Sequence, residues 1–132
     1  MERNFTTQKG AYIYIARNSY ILLKNDLPEP MRSIVILHEI GHHMLHKDIA
    51  KSFKEFNIFD PTGNIMEYEA NLFAAEIMLP DHEIVDYMKQ GYTATQIATA
   101  MKSDVNLISL KATDLKRRGL ALNIPDFKIN SL

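Results

Sequence analysis

The sequence predicts an α+β fold, a helical majority behind a small N-terminal β-hairpin or sheet. Three observations lead there. Two β-rich runs, residues 11–15 (AYIYI) and 20–23 (YILL), lie close together near the start. A helical apolar period follows, with Ile34, Leu37, Gly41 and Met44–Leu45 on one stripe. From residue 64 onward, capping residues and breakers divide the chain into short helical segments. The 132 residues predict one domain, 1–132, with residues 93–120 as a helical C-terminal subregion. That length can bury a core without disulfide staples.

Taken in order, Arg17-Asn18-Ser19 separates the two β-runs, and Asn18 suits a turn position with positive φ. A lone hairpin is marginal, so it must pack on helices or gain another strand. Pro28 and Pro30 stop the second strand, and Pro30 suits a first helical turn. A helix is expected from Met31 to about His46. Gly41 costs it about 1 kcal/mol relative to Ala, which points to close approach by another element. A short helix or turn is expected around residues 49–56, and Asp60-Pro61-Thr62-Gly63 is a break. Asn64 can cap a helix over residues 65–79, which Pro80 closes. Asp81 can cap a further helix over 82–90, with Gly91 at its C-terminal end. Thr93 and Gln96 form a capping-box pair for residues 94–102. The last helix, about 104–118, ends at Gly119, and the tail after Ile124-Pro125 reads as coil.

Composition excludes several function classes. At 46% hydrophobic and 23% charged the chain reads as an ordinary globular protein. A net charge of −1 provides no broad field for nucleic acid or an anionic membrane. There is no cysteine, hence no disulfide and no thiolate metal site. The first residues lack the apolar core of a signal peptide, and no stretch reaches the roughly 18–20 apolar residues that cross a bilayer. A soluble cytoplasmic protein is the expectation.

Chemistry concentrates at His38-Glu39-Ile40-Gly41-His42. Residues four apart on a helix share a face, so His38 and His42 can reach one zinc ion at about 2 Å each. Glu39 sits about 100° round the helix. It can flank the metal without binding it and take the proton of a water that zinc makes acidic. This pattern arises by chance in a chain of this length on the order of once in a few hundred. Here it also falls on a predicted helix, as the chemistry requires. The competing reading is a solvated histidine-rich face, since His43 and His46 lie nearby.

A catalytic zinc needs a third protein ligand and an open position. Glu67 is the best-placed candidate, and Asn71, one helical turn on, could hydrogen-bond a ligand. Glu69 and Glu76 compete, although Glu69 points about 200° away from Glu67 and Glu76 shares the rough direction of Glu69. Ala70 and Ala74 lie near the Glu67 face, where small side chains would let two helices approach closely.

The stretch from Glu67 through Glu69, Asn71 and Phe73 to Met78-Leu79-Pro80 (EYEANLFAAEIMLP) strongly resembles a signature of the ImmA/IrrE metallopeptidase family. There an HExGH helix precedes a segment of the form ExxANxFAAxxLMP. Met78-Leu79-Pro80 replaces the closing Leu-Met-Pro. The hairpin strand GAYIYI is also similar, and the resemblance spans about residues 10 to 82. It implies a zincin-like core, with His38, His42 and Glu67 as zinc ligands and Glu39 as general base. It also implies a role: such proteins occur on phages and mobile elements, and relieve repression by cleaving a helix-turn-helix repressor.

Other features take lesser roles. His46 lies about 80° off the His38 direction, and a place behind the ligands or at the helix end suits it. His43 is expected to point outward, and His82 to be a surface residue. Tyr12, Tyr14, Tyr20, Tyr68 and His82 are all candidates for stabilising an oxyanion, with Tyr12 and Tyr14 expected to pack on helices. The hairpin edge could pair with an extended substrate. Residues 93–120 resemble half of a helix-turn-helix, closing on Lys116-Arg117-Arg118. That run suits a helix C-terminus through the dipole alone, and the absence of a wider basic footprint argues against direct DNA binding. Two hypotheses result. One is a zinc endopeptidase acting on a partner repressor. The other is a non-catalytic module in which metal staples the helices and the surface binds a repressor or DNA. The presence of Glu39 favours the first, because a purely structural site needs no uncoordinated carboxylate next to the metal.

Overall fold

A computed structural model describes residues 2–3, 8–48, 52–55, 59 and 64–120. Its order of elements is β1 (Glu2–Arg3), β2 (Gly10–Ile15), β3 (Asn18–Lys24), α1 (Met31–His46), β4 (Ser52–Glu55), α2 (Ile65–Met78), α3 (Asp81–Lys89), α4 (Ala94–Ala100) and α5 (Val105–Arg117). This is the α+β class expected. The chain forms two compact units, Met1–Ala74 and Ala75–Leu132.

The first unit holds a four-stranded sheet of order β1-β3-β2-β4 among the described residues. β2 and β3 form the expected hairpin, with Tyr12 opposite Ile21 and Ile15 opposite Asn18. The turn differs from expectation: Ala16 and Arg17 take positive φ (51° and 66°), and Asn18 already belongs to β3. Two-residue hairpin loops favour positive φ at both central positions, because that twist matches the strands. The pairing register thus outweighed the local preference of Asn18. β4 is a further correction, since a helix or turn was expected there. Ser52–Glu55 carries no strong strand signal, and its pairing with residues 10–13 of β2 supplies the order. β1 pairs with Leu23 and Lys24 of β3. Those positions of the hairpin are therefore already paired and offer no free edge. The expected break at 60–63 and the coil after 124 lie outside the described residues.

Helix α1 packs against β2 and β3. Ile34 and Val35 are fully buried in α1, and Ala11, Tyr12 and Leu23 are buried in the sheet. Gly10 serves this contact: a Cβ there would lie 2.8 Å from Val35 Cγ1. Gly41 serves the opposite one. A Cβ on it would fall 3.2 Å from Ala70 Cα and 3.1 Å from Phe73 Cβ, so α1 and α2 touch nearly backbone to backbone. α2 starts as expected, with Asn64 Oδ1 accepting from the Glu67 backbone N–H at 3.0 Å.

In the second unit, Ile84, Ile97, Leu107, Ile108 and Leu115 are fully buried. Thr93 and Gln96 close the expected capping box, and Asp104 caps α5 through the Asn106 N–H at 2.8 Å. Gly91 and Gly119 take positive φ just beyond α3 and α5. Asp81 does not cap α3; Pro80 stands at that position. Its carboxylate instead accepts from Lys111 Nζ at 2.6 Å and from Arg118 at 3.1 and 3.2 Å. Lys111 is wholly buried and also donates to Glu76 Oε1 at 2.8 Å. Arg118 further binds Asp114, as does Arg117. Removing such a buried cation from water is costly unless carboxylates pair with it, and here they do. Two of the three residues in the basic run 116–118 are thus engaged in ion pairs within the unit.

The Arg118 and Lys111 hydrogen bonds hold the Asp81 carboxyl down at about 2. Burial pushes Asp114 up, but its bonds to Arg117 and Arg118 outweigh this and leave it lowered. Because the folded pKa of Asp81 lies below the unfolded one, its contribution to stability is present above about 4 and disappears as pH falls through about 2. Thermal unfolding of wild type and Asp81→Asn should therefore differ at neutral pH and converge between about pH 4 and pH 2. A constant difference across that window would contradict the assignment.

Candidate metal centre

The motif helix sets the geometry. His38, His42 and His46 descend one face of α1 at four-residue steps, and all three are buried. α2 lays Glu67 and Asn71 against them, so the whole cluster lies within the first unit. The His38 and His42 rings meet edge to face, with centroids 4.7 Å apart and planes at 87°. Their Nε2 atoms converge to 3.1 Å. Glu67 completes a triangle: its Oε2 lies 3.0 Å from His38 Nε2 and its Oε1 3.2 Å from His42 Nε2.

These separations test whether a metal fits. Ligand atoms about 2 Å from a tetrahedral zinc lie about 3.3 Å from each other, close to the three distances observed. Proton positions follow from the outer partners. Asn71 Oδ1 accepts from His38 Nδ1 at 2.7 Å, which leaves the His38 Nε2 lone pair facing the cluster. Bare imidazole nitrogens and a carboxylate this close repel one another unless they share a cation. Two imidazoles and a carboxylate form a donor set that suits zinc. His38, His42 and Glu67 can accordingly hold a metal ion.

Glu39 faces the same region from α1. It is fully buried, with Oε1 4.0 Å from His38 Nε2. Glu67 keeps about a fifth of its side chain exposed (21%), which makes it the solvent side of the triangle. The competing carboxylates go elsewhere. Glu69 Oε1 lies 3.1 Å from His46 Nε2, and Glu76 belongs to the second unit with Lys111. His46 stands behind the triangle, its Nδ1 2.9 Å from His42 Nδ1. The partnership of Glu69 with His46 was missed in the sequence; the available signal was the third four-residue step to His46 together with a second Glu two places after Glu67. His43 also departs from expectation. It is partly buried, with Nδ1 2.9 Å from Ser19 Oγ and 3.3 Å from the Tyr12 hydroxyl. Tyr12 packs on α1 as expected, its ring centroid 5.9 Å from that of His43. Tyr14 has Lys47 Nζ 5.5 Å from its ring centroid.

Comparison with known proteins decides the family. The profile of the Peptidase M78 family, described as the IrrE N-terminal-like domain, matches residues 1–113. The chain belongs to that family. Two relatives agree with the M78 assignment. Over 103 residues the chain is 36% identical to "Uncharacterized immunity region protein 2" of Bacillus phage phi105, covering 77% of this chain and 64% of the phage protein. Over 70 residues it is 39% identical to "Metallopeptidase ImmA" of Bacillus subtilis strain 168, covering 51% of this chain and 40% of that protein. The matches therefore span less than two thirds of either relative. Among the described residues of this M78 member, no helix is long and apolar enough to cross a membrane.

Replacing Asn71 by Ala removes the acceptor that orients His38. Metal affinity should fall about 10–100-fold, measured by dialysis against a graded zinc chelator, with the fold retained. Unchanged affinity would show that Asn71 does not orient a ligand.

Proposed function

We propose that the chain is a zinc-dependent endopeptidase whose substrate is a helix-turn-helix repressor of a phage or mobile element. The observation carrying this reading is the convergence of His38 Nε2 and His42 Nε2, 3.1 Å apart, on the Glu67 carboxylate, one oxygen of which lies 3.0 Å from the first and the other 3.2 Å from the second, with the buried Glu39 carboxylate beside them. His38, His42 and Glu67 would hold the metal, and Asn71 would orient His38. A zinc ion there supplies Lewis acidity, which makes water a nucleophile near neutral pH. Glu39 acts on the proton: Oε1 takes it from the attacking water and returns it to the leaving amine. Burial of Glu39 and His38 excludes competing solvent from that transfer.

The membership of the M78 family and the relative named as a metallopeptidase support peptide hydrolysis. The relative named as a phage immunity region protein supports a substrate in phage immunity, and the signature resemblance points to a repressor. The alternative of a metal-stapled binding module does not call for a carboxylate beside the metal ligands.

Glu39→Gln keeps the shape of the side chain and removes its basicity. Zinc content should stay near one per chain, while cleavage of a co-expressed repressor encoded beside the gene falls by at least about a hundredfold. Persistent cleavage would show that Glu39 is not the base. A wild type that binds the repressor and leaves it intact would favour the binding module.

A further inference from the structure

We propose that His46 and Glu69 are positioning residues, which hold His42 in the one tautomer able to present Nε2 to a metal. The inference rests on the zinc reading above and extends it from the ligands to what stands behind them. Glu69, His46 and His42 form a row: Glu69 Oε1 to His46 Nε2 is 3.1 Å, and His46 Nδ1 to His42 Nδ1 is 2.9 Å.

The direction of this row follows from donor and acceptor chemistry. A carboxylate only accepts, so His46 Nε2 carries the proton in its bond to Glu69. With that single proton, the arrangement that leaves His42 Nε2 open to a metal, His46 has a bare Nδ1, which can only accept. The bond between the two Nδ1 atoms therefore runs from His42 N–H to His46. His42, having its proton on Nδ1, keeps the Nε2 lone pair facing His38 and Glu67. The opposite direction would place a proton on His42 Nε2, where it would block a metal.

The two ligand imidazoles are thus oriented by different means. His38 relies on an amide oxygen, which is always an acceptor. His42 relies on a second imidazole, whose acceptor face depends on Glu69. Burial strengthens the constraint, since His46 is 1% exposed. Glu69 has about half its side chain exposed (48%), so it can be changed with little damage to packing.

Three variants test this: His46→Ala, His46→Asn and Glu69→Ala. An asparagine Oδ1 stands close to where a histidine Nδ1 stands, so His46→Asn keeps an acceptor for His42 and discards the bond to Glu69. Zinc affinity is read by chelator competition, the fold by circular dichroism, and the tautomers of His42 and His46 by long-range ¹H–¹⁵N correlation in the zinc-loaded protein. His46→Ala should weaken zinc binding about 10–100-fold, and His46→Asn less than about tenfold. Glu69→Ala should fall between wild type and His46→Ala while retaining wild-type secondary structure. Wild-type spectra should show protons on His42 Nδ1 and His46 Nε2. Wild-type affinity in folded His46→Ala or Glu69→Ala, a loss in His46→Asn equal to that in His46→Ala, or a proton on His42 Nε2 would each overturn the proposal while the metal site stands. A wild-type chain that binds no zinc would instead remove the metal reading, and this proposal with it.

Discussion

The distance between α1 and α2 governs the rest of the first unit. A glutamate can bridge two imidazoles on a neighbouring helix only if the helix axes run unusually close. Gly41 permits this approach, with Ala70 and Phe73 packed where its side chain would have been. The same glycine lies between the two histidines of the motif, so close contact and metal geometry come from one helical turn. The loss of helix propensity at Gly41, about 1 kcal/mol, is the cost of placing Glu67 within 3.2 Å of both rings.

Such closeness concentrates polar groups in a buried place. His38, Glu39, His42 and His46 are buried on a helix that also packs on the sheet, where Val35 meets Gly10. Buried polar groups are tolerated when each proton has a destination. Asn71 takes that of His38, and the His46–Glu69 pair takes that of His42. The second unit meets a related problem with ion pairs, where Lys111 is matched by Glu76 and Asp81. In the first unit the lone pairs point inward and call for a cation from outside; in the second, the cations are side chains of the chain itself.

Much of this was legible in the sequence where local signals agree. The apolar period of α1, the Asn64 cap and Pro80 after α2 placed the helices correctly, because capping chemistry and periodicity are local. The motif itself fixed which face of α1 carries the histidines. Features decided by distant partners were not legible. Asp81 looks like a cap until Arg118 and Lys111 claim its carboxylate. Asn18 looks like the turn residue until strand pairing moves the turn to Ala16 and Arg17. β4 has no strand signal of its own, since four residues of mixed polarity become a strand only beside β2. On helical angles alone Glu67, Glu69 and Glu76 could not be separated fully, because a glutamate side chain is long enough to blur its Cβ direction. The packed helices separate them: Glu67 meets the ligand pair, Glu69 the third histidine, and Glu76, in the second unit, a lysine of that same unit.

X-ray absorption at the zinc edge tests the central claim most directly, because it reads the ligand types around the metal. The zinc-loaded chain should show a first shell of about four nitrogen and oxygen atoms at about 2.0–2.1 Å. Outer-shell scattering from two imidazoles should accompany it, reduced to one in His42→Ala. Scattering from no imidazole, or a two-imidazole pattern unchanged in His42→Ala, would contradict the site described.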